Sequence, residues 1–159
     1  MANRFFNQFG GTLERKVIKL FAKILYTGGA PTLVDTAVLN AGTSPVTVNE
    51  SQGFESLANN GGGTFTLVLG NNNGGVPEYD TYVRLLNVSV SSVIPSGGPP
   101  TLGVVSALVI SDNVNGSSGN PSIQLGTLCA DALGVVTPGI PDNGTILYVE
   151  LTLSNTTAY

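Results

Sequence analysis

The chain has 159 residues, of which only 6 are Lys or Arg and 10 are Asp or Glu, and it contains neither His nor Trp. Without histidine, the side chain that titrates near neutrality and the commonest transition-metal ligand, Ser-His-Asp, Cys-His, zincin and His-carboxylate iron chemistry are excluded. With 42% apolar residues the sequence is too hydrophobic for disorder, and 21 Gly beside 9 Pro fall short of a collagen pattern, so one folded domain is expected.

The charges are unevenly placed. Five of the six cations, Arg4, Arg15, Lys16, Lys19 and Lys23, fall in the first 23 positions against one acid, Glu14, for a net +4. Positions 24–159 carry Arg84 against nine acids, for a net −8. Residues 1–16 therefore read as a basic arm on an acidic, weakly charged body, residues 17–159, that forms a single domain. Such an arm is either a solvated segment that keeps an apolar chain soluble or a contact for an acidic partner. Phe5, Phe6 and Phe9 favour the contact, because aromatic rings at a terminus that usually frays point to burial against something. Nucleic acid fits poorly: the cations are few, the body repels phosphate and no binding motif accompanies them.

Residues 13–26 fit two periodicities. On a helical wheel Leu13, Val17, Leu20, Phe21 and Ile24 share a face opposite Arg15, Lys16, Lys19 and Lys23, with Thr12 as N-cap. As a strand, Ile18, Leu20, Ala22, Ile24 and Tyr26 point one way and Lys19, Phe21, Lys23 and Leu25 the other. Because everything downstream is strand-like, the expectation is a short helix or irregular arm to about Arg15, then a strand from Val17 to Tyr26. Lys19 and Lys23 also interrupt the apolar run that a secretory signal would need, and no stretch of about 18 apolar residues exists to span a membrane.

Further strands are expected at Leu33–Leu39, Thr64–Leu69, Tyr82–Val90, Val104–Ile110, Ser122–Leu128 and Ile146–Leu153, separated by Gly-, Asn- and Pro-rich turns. In the fourth from last of these, Leu86, Val88 and Val90 oppose Asn87 and Ser89; in the last, Leu147, Val149, Leu151 and Leu153 oppose Tyr148, Glu150 and Thr152. Seven or eight such strands and no second helical pattern predict an all-β fold, an antiparallel β-sandwich or jelly-roll-like domain with an N-terminal arm.

Little in the sequence assembles chemistry. Glu78-Tyr-Asp80 places two carboxylates on one side of an extended segment, but solvated acids at a strand entrance explain them. Asp112-Asn-Val-Asn-Gly has an oxygen-rich look, yet Val114 holds the third ligand position of a calcium loop and no Glu follows at the twelfth. Gly61-Gly-Gly-Thr64 lacks the Lys of a phosphate loop and precedes a strand, so it reads as a turn. Cys129 stands alone in an apolar run and reads as a small buried hydrophobe. No cofactor or metal set is expected. Scattered Tyr residues keep a glycan-binding module as the competing class, weakened by the lack of Trp.

Several phrases resemble a known family. Asn3-Arg-Phe-Phe-Asn-Gln-Phe, Leu13-Glu-Arg-Lys-Val-Ile-Lys-Leu-Phe-Ala-Lys and Gly28-Gly-Ala-Pro-Thr-Leu33 are similar to the opening of small capsid decoration, or cement, proteins of tailed bacteriophages. Gly63-Thr-Phe-Thr-Leu, Tyr82-Val-Arg-Leu-Leu-Asn-Val and Gly144-Thr-Ile-Leu-Tyr-Val-Glu-Leu-Thr-Leu-Ser-Asn continue the pattern in order, about a third of the positions in all. The stretch from Val34 to Leu57 is longer than the pattern implies, and Asn71 to Glu78 looks inserted. The resemblance implies a non-enzymatic, β-rich homotrimer on the outer surface of a phage head, made in the host cytoplasm, that ties major capsid protein subunits together. It makes Arg4, Phe5, Phe6, Phe9, Arg15, Lys16 and Lys19 the candidate capsid-binding residues. The competing reading is a glycan-binding or adhesion module of a fibre, with its loops on a surface glycan.

Overall fold

The computed structural model describes residues 17–41, 44–70, 84–94, 103–116, 120–131 and 133–154. Among these there is no helix. In chain order the strands are β1 (Val17–Thr27), β2 (Ala30–Val34), β3 (Thr36–Ala41), β4 (Ser44–Asn49), β5 (Phe54–Gly61) and β6 (Thr64–Leu69). They are followed by β7 (Arg84–Val93), β8 (Gly103–Asn113), β9 (Ser122–Ala130), β10 (Val136–Pro138) and β11 (Ile146–Ser154). Two antiparallel sheets pack together as a β-sandwich. The first has the order β2-β1-β11-β7. In the second β8 lines one edge of β9, while β6 and the short β10 share the other and β5 closes the sheet beyond β6.

The helix-or-strand ambiguity at the N-terminal segment resolves to a strand from Val17 because of its partner. β1 and β11 pair so that Ile18, Leu20, Ala22 and Ile24 stand opposite Leu153, Leu151, Val149 and Leu147, and all eight are buried. A helix would scatter these side chains around its axis; two alternating strands in register put them on one face. Phe54, Phe65, Leu67, Ile123 and Leu125 of the second sheet meet that face to complete the core.

Two expectations change in detail. The run Leu33–Leu39 is two strands broken at Asp35, whose carbonyl accepts the amides of Glu50 and Ser51. The chain leaves the edge of β1 at Val34, makes the β3–β4 hairpin, and returns to the same edge, where Gln52 pairs with Phe21. This hairpin lies within the stretch from Val34 to Leu57. In β7 the register shifts opposite Thr152 and Leu153, so Leu86 becomes the unpaired residue of a bulge and is exposed while Leu85 packs on the core. At Asp112 the carboxylate Oδ1 accepts the Val114 amide within a turn, and Val114 is buried.

At one end of the sandwich β6 and β10 meet head to tail along β9. The Thr127 amide donates to Gly63 O and its carbonyl accepts the Gly139 amide, while Thr127 Oγ1 lies 2.9 Å from Gly63 O and 2.6 Å from Gly139 O. The approach is so close that a Cβ on Gly63, which has φ +80°, would overlap the Gly139 carbonyl. Only glycine fits there. Cys129 is buried beside this junction, its thiol 3.3 Å from Gly139 O and its pKa raised chiefly by burial.

Tyr26 fills the same end of the core, and its hydroxyl has no hydrogen-bond partner among the described residues. Burial pushes the phenol up to about 12, with the nearby Thr127 hydroxyl acting in the opposite sense. Below its ordinary pKa of 10 the group is protonated in both folded and unfolded chains; as pH rises toward 12 the unfolded chain loses the proton that the folded chain retains. Stability therefore falls across that window. Tyr26→Phe should flatten this alkaline limb in urea titrations at pH 8 to 11 and, by removing an unsatisfied polar group, raise stability near neutrality by about 1 kcal/mol.

Candidate functional site

The outward face of the first sheet carries a groove. Because β1, β11 and β7 are in register, side chains that alternate with the core residues line up in rows across the sheet: Phe21 with Glu150 and Ser89, and Lys23 with Tyr148 and Ser91. Between these rows lies a groove of about 260 Å³, whose wall is completed by Glu50 from the segment that returns to the edge of β1. Phe21 and Tyr148 are 41% and 42% exposed, enough ring surface to receive a ligand.

The groove's carboxylates are held by lysines. Lys19 Nζ donates to Glu150 Oε1 at 2.9 Å, with both side chains about half exposed, and Lys23 Nζ donates to Glu50 Oε2 at 3.0 Å with both largely buried. The Lys23 ammonium also lies 6.0 Å from the centroid of the Tyr148 ring, at the outer limit of a cation–π contact. Ser51 ties down the neighbouring backbone, its hydroxyl accepting the Lys23 amide and donating to Val34 O. The result is a preorganised, charge-neutralised groove: two ring faces for apolar contact, with carboxylate and hydroxyl groups at its margin. Among the described residues no three Cys, Asp or Glu side chains converge as metal ligands.

Of the candidate capsid-binding residues, Lys19 lies on β1 and points outward into the pair with Glu150. Arg4, Phe5, Phe6, Phe9, Arg15 and Lys16 lie outside the described residues, as do Glu78 and Asp80. Sequence reasoning missed the groove as a unit. The alternation that put Phe21 with Lys19 and Lys23, and Tyr148 with Glu150, was readable; the register that brings the two strands side by side was not.

Comparison with family models, with curated proteins and with solved structures finds no match to this chain. Among the described residues no helix is long and apolar enough to cross a membrane.

The two ion pairs differ in burial and so in worth. Lys23→Ala, which leaves the shielded Glu50 without its cation, should cost about 1–2 kcal/mol in denaturant unfolding, whereas Lys19→Ala should cost less than about 0.5 kcal/mol, as exposed pairs do.

Proposed function

We propose that this chain is a non-catalytic structural protein of a phage virion: a decoration, or cement, protein that assembles as a homotrimer on the outer surface of the head and links major capsid protein subunits. The observation that carries the reading is the division of labour along the chain. Residues 1–16 hold three cations and three phenylalanines, whereas the two lysines of the adjoining sandwich are spent on its own carboxylates. The cations that remain for an outside partner are thus concentrated before β1.

In this reading Arg4, Arg15 and Lys16 attract and orient the segment on an acidic capsid surface, and Phe5, Phe6 and Phe9 supply the buried anchors. Lys19 marks where the arm joins the sandwich. A durable sandwich with few titrating groups suits an inert outer-shell protein, and docking by an arm adds contact area at the cost of chain entropy.

Co-sedimentation with purified heads of the phage that encodes the chain tests this. The wild-type protein should pellet with heads at micromolar concentration, and the triple variant Phe5→Ala, Phe6→Ala, Phe9→Ala should bind at least tenfold more weakly. Wild-type protein left in the supernatant overturns the reading, and undiminished binding by the variant removes the arm as anchor. Weakening by salt would assign the larger share to Arg4, Arg15 and Lys16.

One observation favours a second reading, a glycan-binding module. The Phe21–Tyr148 groove offers ring faces for the flat side of a sugar and Glu50, Glu150, Ser89 and Ser91 for its hydroxyls. A glycan array should then give hits that Tyr148→Ala abolishes; an array with no hits rejects it.

A further inference from the structure

The two long sides of the sandwich are finished differently. On one side β2 and β5 are the edge strands, and the gap between the sheets is sewn up by the Glu50–Gly53 segment through the Ser51, Gln52 and Glu50 contacts to β1 and β2. On the other side β7 and β8 are the edges, and neither has a strand on its far side among the described residues. That side is apolar.

Along β8 three consecutive aliphatic residues are half exposed: Leu108 at 52%, Val109 at 44% and Ile110 at 51%. They cover both faces of the strand. Val109 is in register with the core residue Leu125 and so belongs to the inward row, yet it stays half exposed. Leu108 is opposite Gly126 on the outer face, and Ile110, the extra residue of a bulge, leans on the bare Gly126. The adjoining β7 adds Leu86, Val93 and the following Ile94 to the same side. Isolated exposed aliphatics need no explanation, but a long edge strand whose run from Gly103 to Ser111 holds no charge is a surface that proteins ordinarily cover.

We propose that the β7–β8 side is a self-association surface, covered by the same side of further copies of this chain. Area and charge both select a second copy as the occupant. The six side chains expose on the order of 500 Å², close to the apolar share of the roughly 800 Å² that one partner contributes to a standard interface. From Gly103 to Ser111 there is no charged residue. Asp35, Glu50 and Glu55 stand on the opposite, β2–β5 side, while β7 and β8 carry one cation, Arg84, and one anion, Asp112, so acidic bodies can meet here on a side without net charge. A strongly charged partner would meet no net charge along these two strands. The surface names the contact for the oligomer in the reading above, but it does not depend on the capsid.

Light scattering and analytical ultracentrifugation of the full chain test the proposal. The wild-type protein should sediment well above the 16.3 kDa monomer at about 10 μM. The double variant Leu108→Asp, Ile110→Asp should dissociate at least 100-fold more readily with an unchanged far-ultraviolet spectrum, while Leu133→Asp, at a residue 89% exposed in the β9–β10 connection, should leave the mass unchanged. A monomeric wild type at 100 μM, or a double variant of wild-type mass, overturns it. If the double variant does not fold, Ser106→Cys on β8 in a Cys129→Ser background should form intermolecular disulfides under mild oxidation and Ala58→Cys on β5 should not; the reverse pattern, or none, overturns it as well. Loss of head binding by an oligomer of normal mass would count against the capsid reading alone.

Discussion

The aliphatic layer between the two sheets, drawn chiefly from β1, β11, β6 and β9, is the interaction on which the other features rest. The chain has no disulfide to restrict its unfolded state and few charges with which to form networks, so removal of apolar surface from water must offset most of the conformational entropy lost on folding. Strict alternation makes this possible: every second residue of β1 and β11 enters the layer, and the residues between are free to do something else. The Phe21–Tyr148 groove is made of those intervening residues. Its geometry is inherited from core packing, because a slip of one position in the β1–β11 register would bury the lysines and expose the leucines.

Two of the buried polar side chains, Thr127 and Ser51, serve the backbone. Thr127 is buried because β6 and β10 end against each other on β9, leaving Gly63 and Gly139 carbonyls that its hydroxyl can reach. Ser51 is buried because the chain returns to β1 after the β3–β4 excursion and must be fastened there. In both cases a small hydroxyl residue satisfies backbone groups at a discontinuity in a ladder, which an aliphatic side chain could not do. Among the described residues Tyr26 lacks this compensation, a local cost accepted for the volume its ring fills.

The all-β class, the strand at Val17, and the inward faces of β6 and β11 were readable because each has an uninterrupted period of two. What escaped was set by pairing. Leu86 broke its pattern because a bulge is a property of two strands together, and Thr152 and Leu153 gave no local sign of it. No strand is expected over residues 54–61, since only Phe54 and Leu57 of that strand turn toward the core; the strand exists because β6 offers it an edge. The short β10 likewise has three exposed residues and no pattern of its own. At the groove, each side chain was visible, whereas the adjacency of Phe21 and Glu150 is a contact across nearly the whole chain.

That separation has a kinetic side. Lys19 and Glu150 are 131 positions apart, and β1 lies in the middle of its sheet with β11 as an immediate neighbour. At a synthesis rate of about 5–20 residues per second, on the order of 10 s pass between the making of β1 and of the strand that completes its ladder. During that interval β1 has an apolar row with no native neighbour on one side, and contacts of such long range are slow to close even once both strands exist. The first sheet is therefore completed only once β11 has been made, and the β7–β8 side takes its shape only when β11 is in place beside β7.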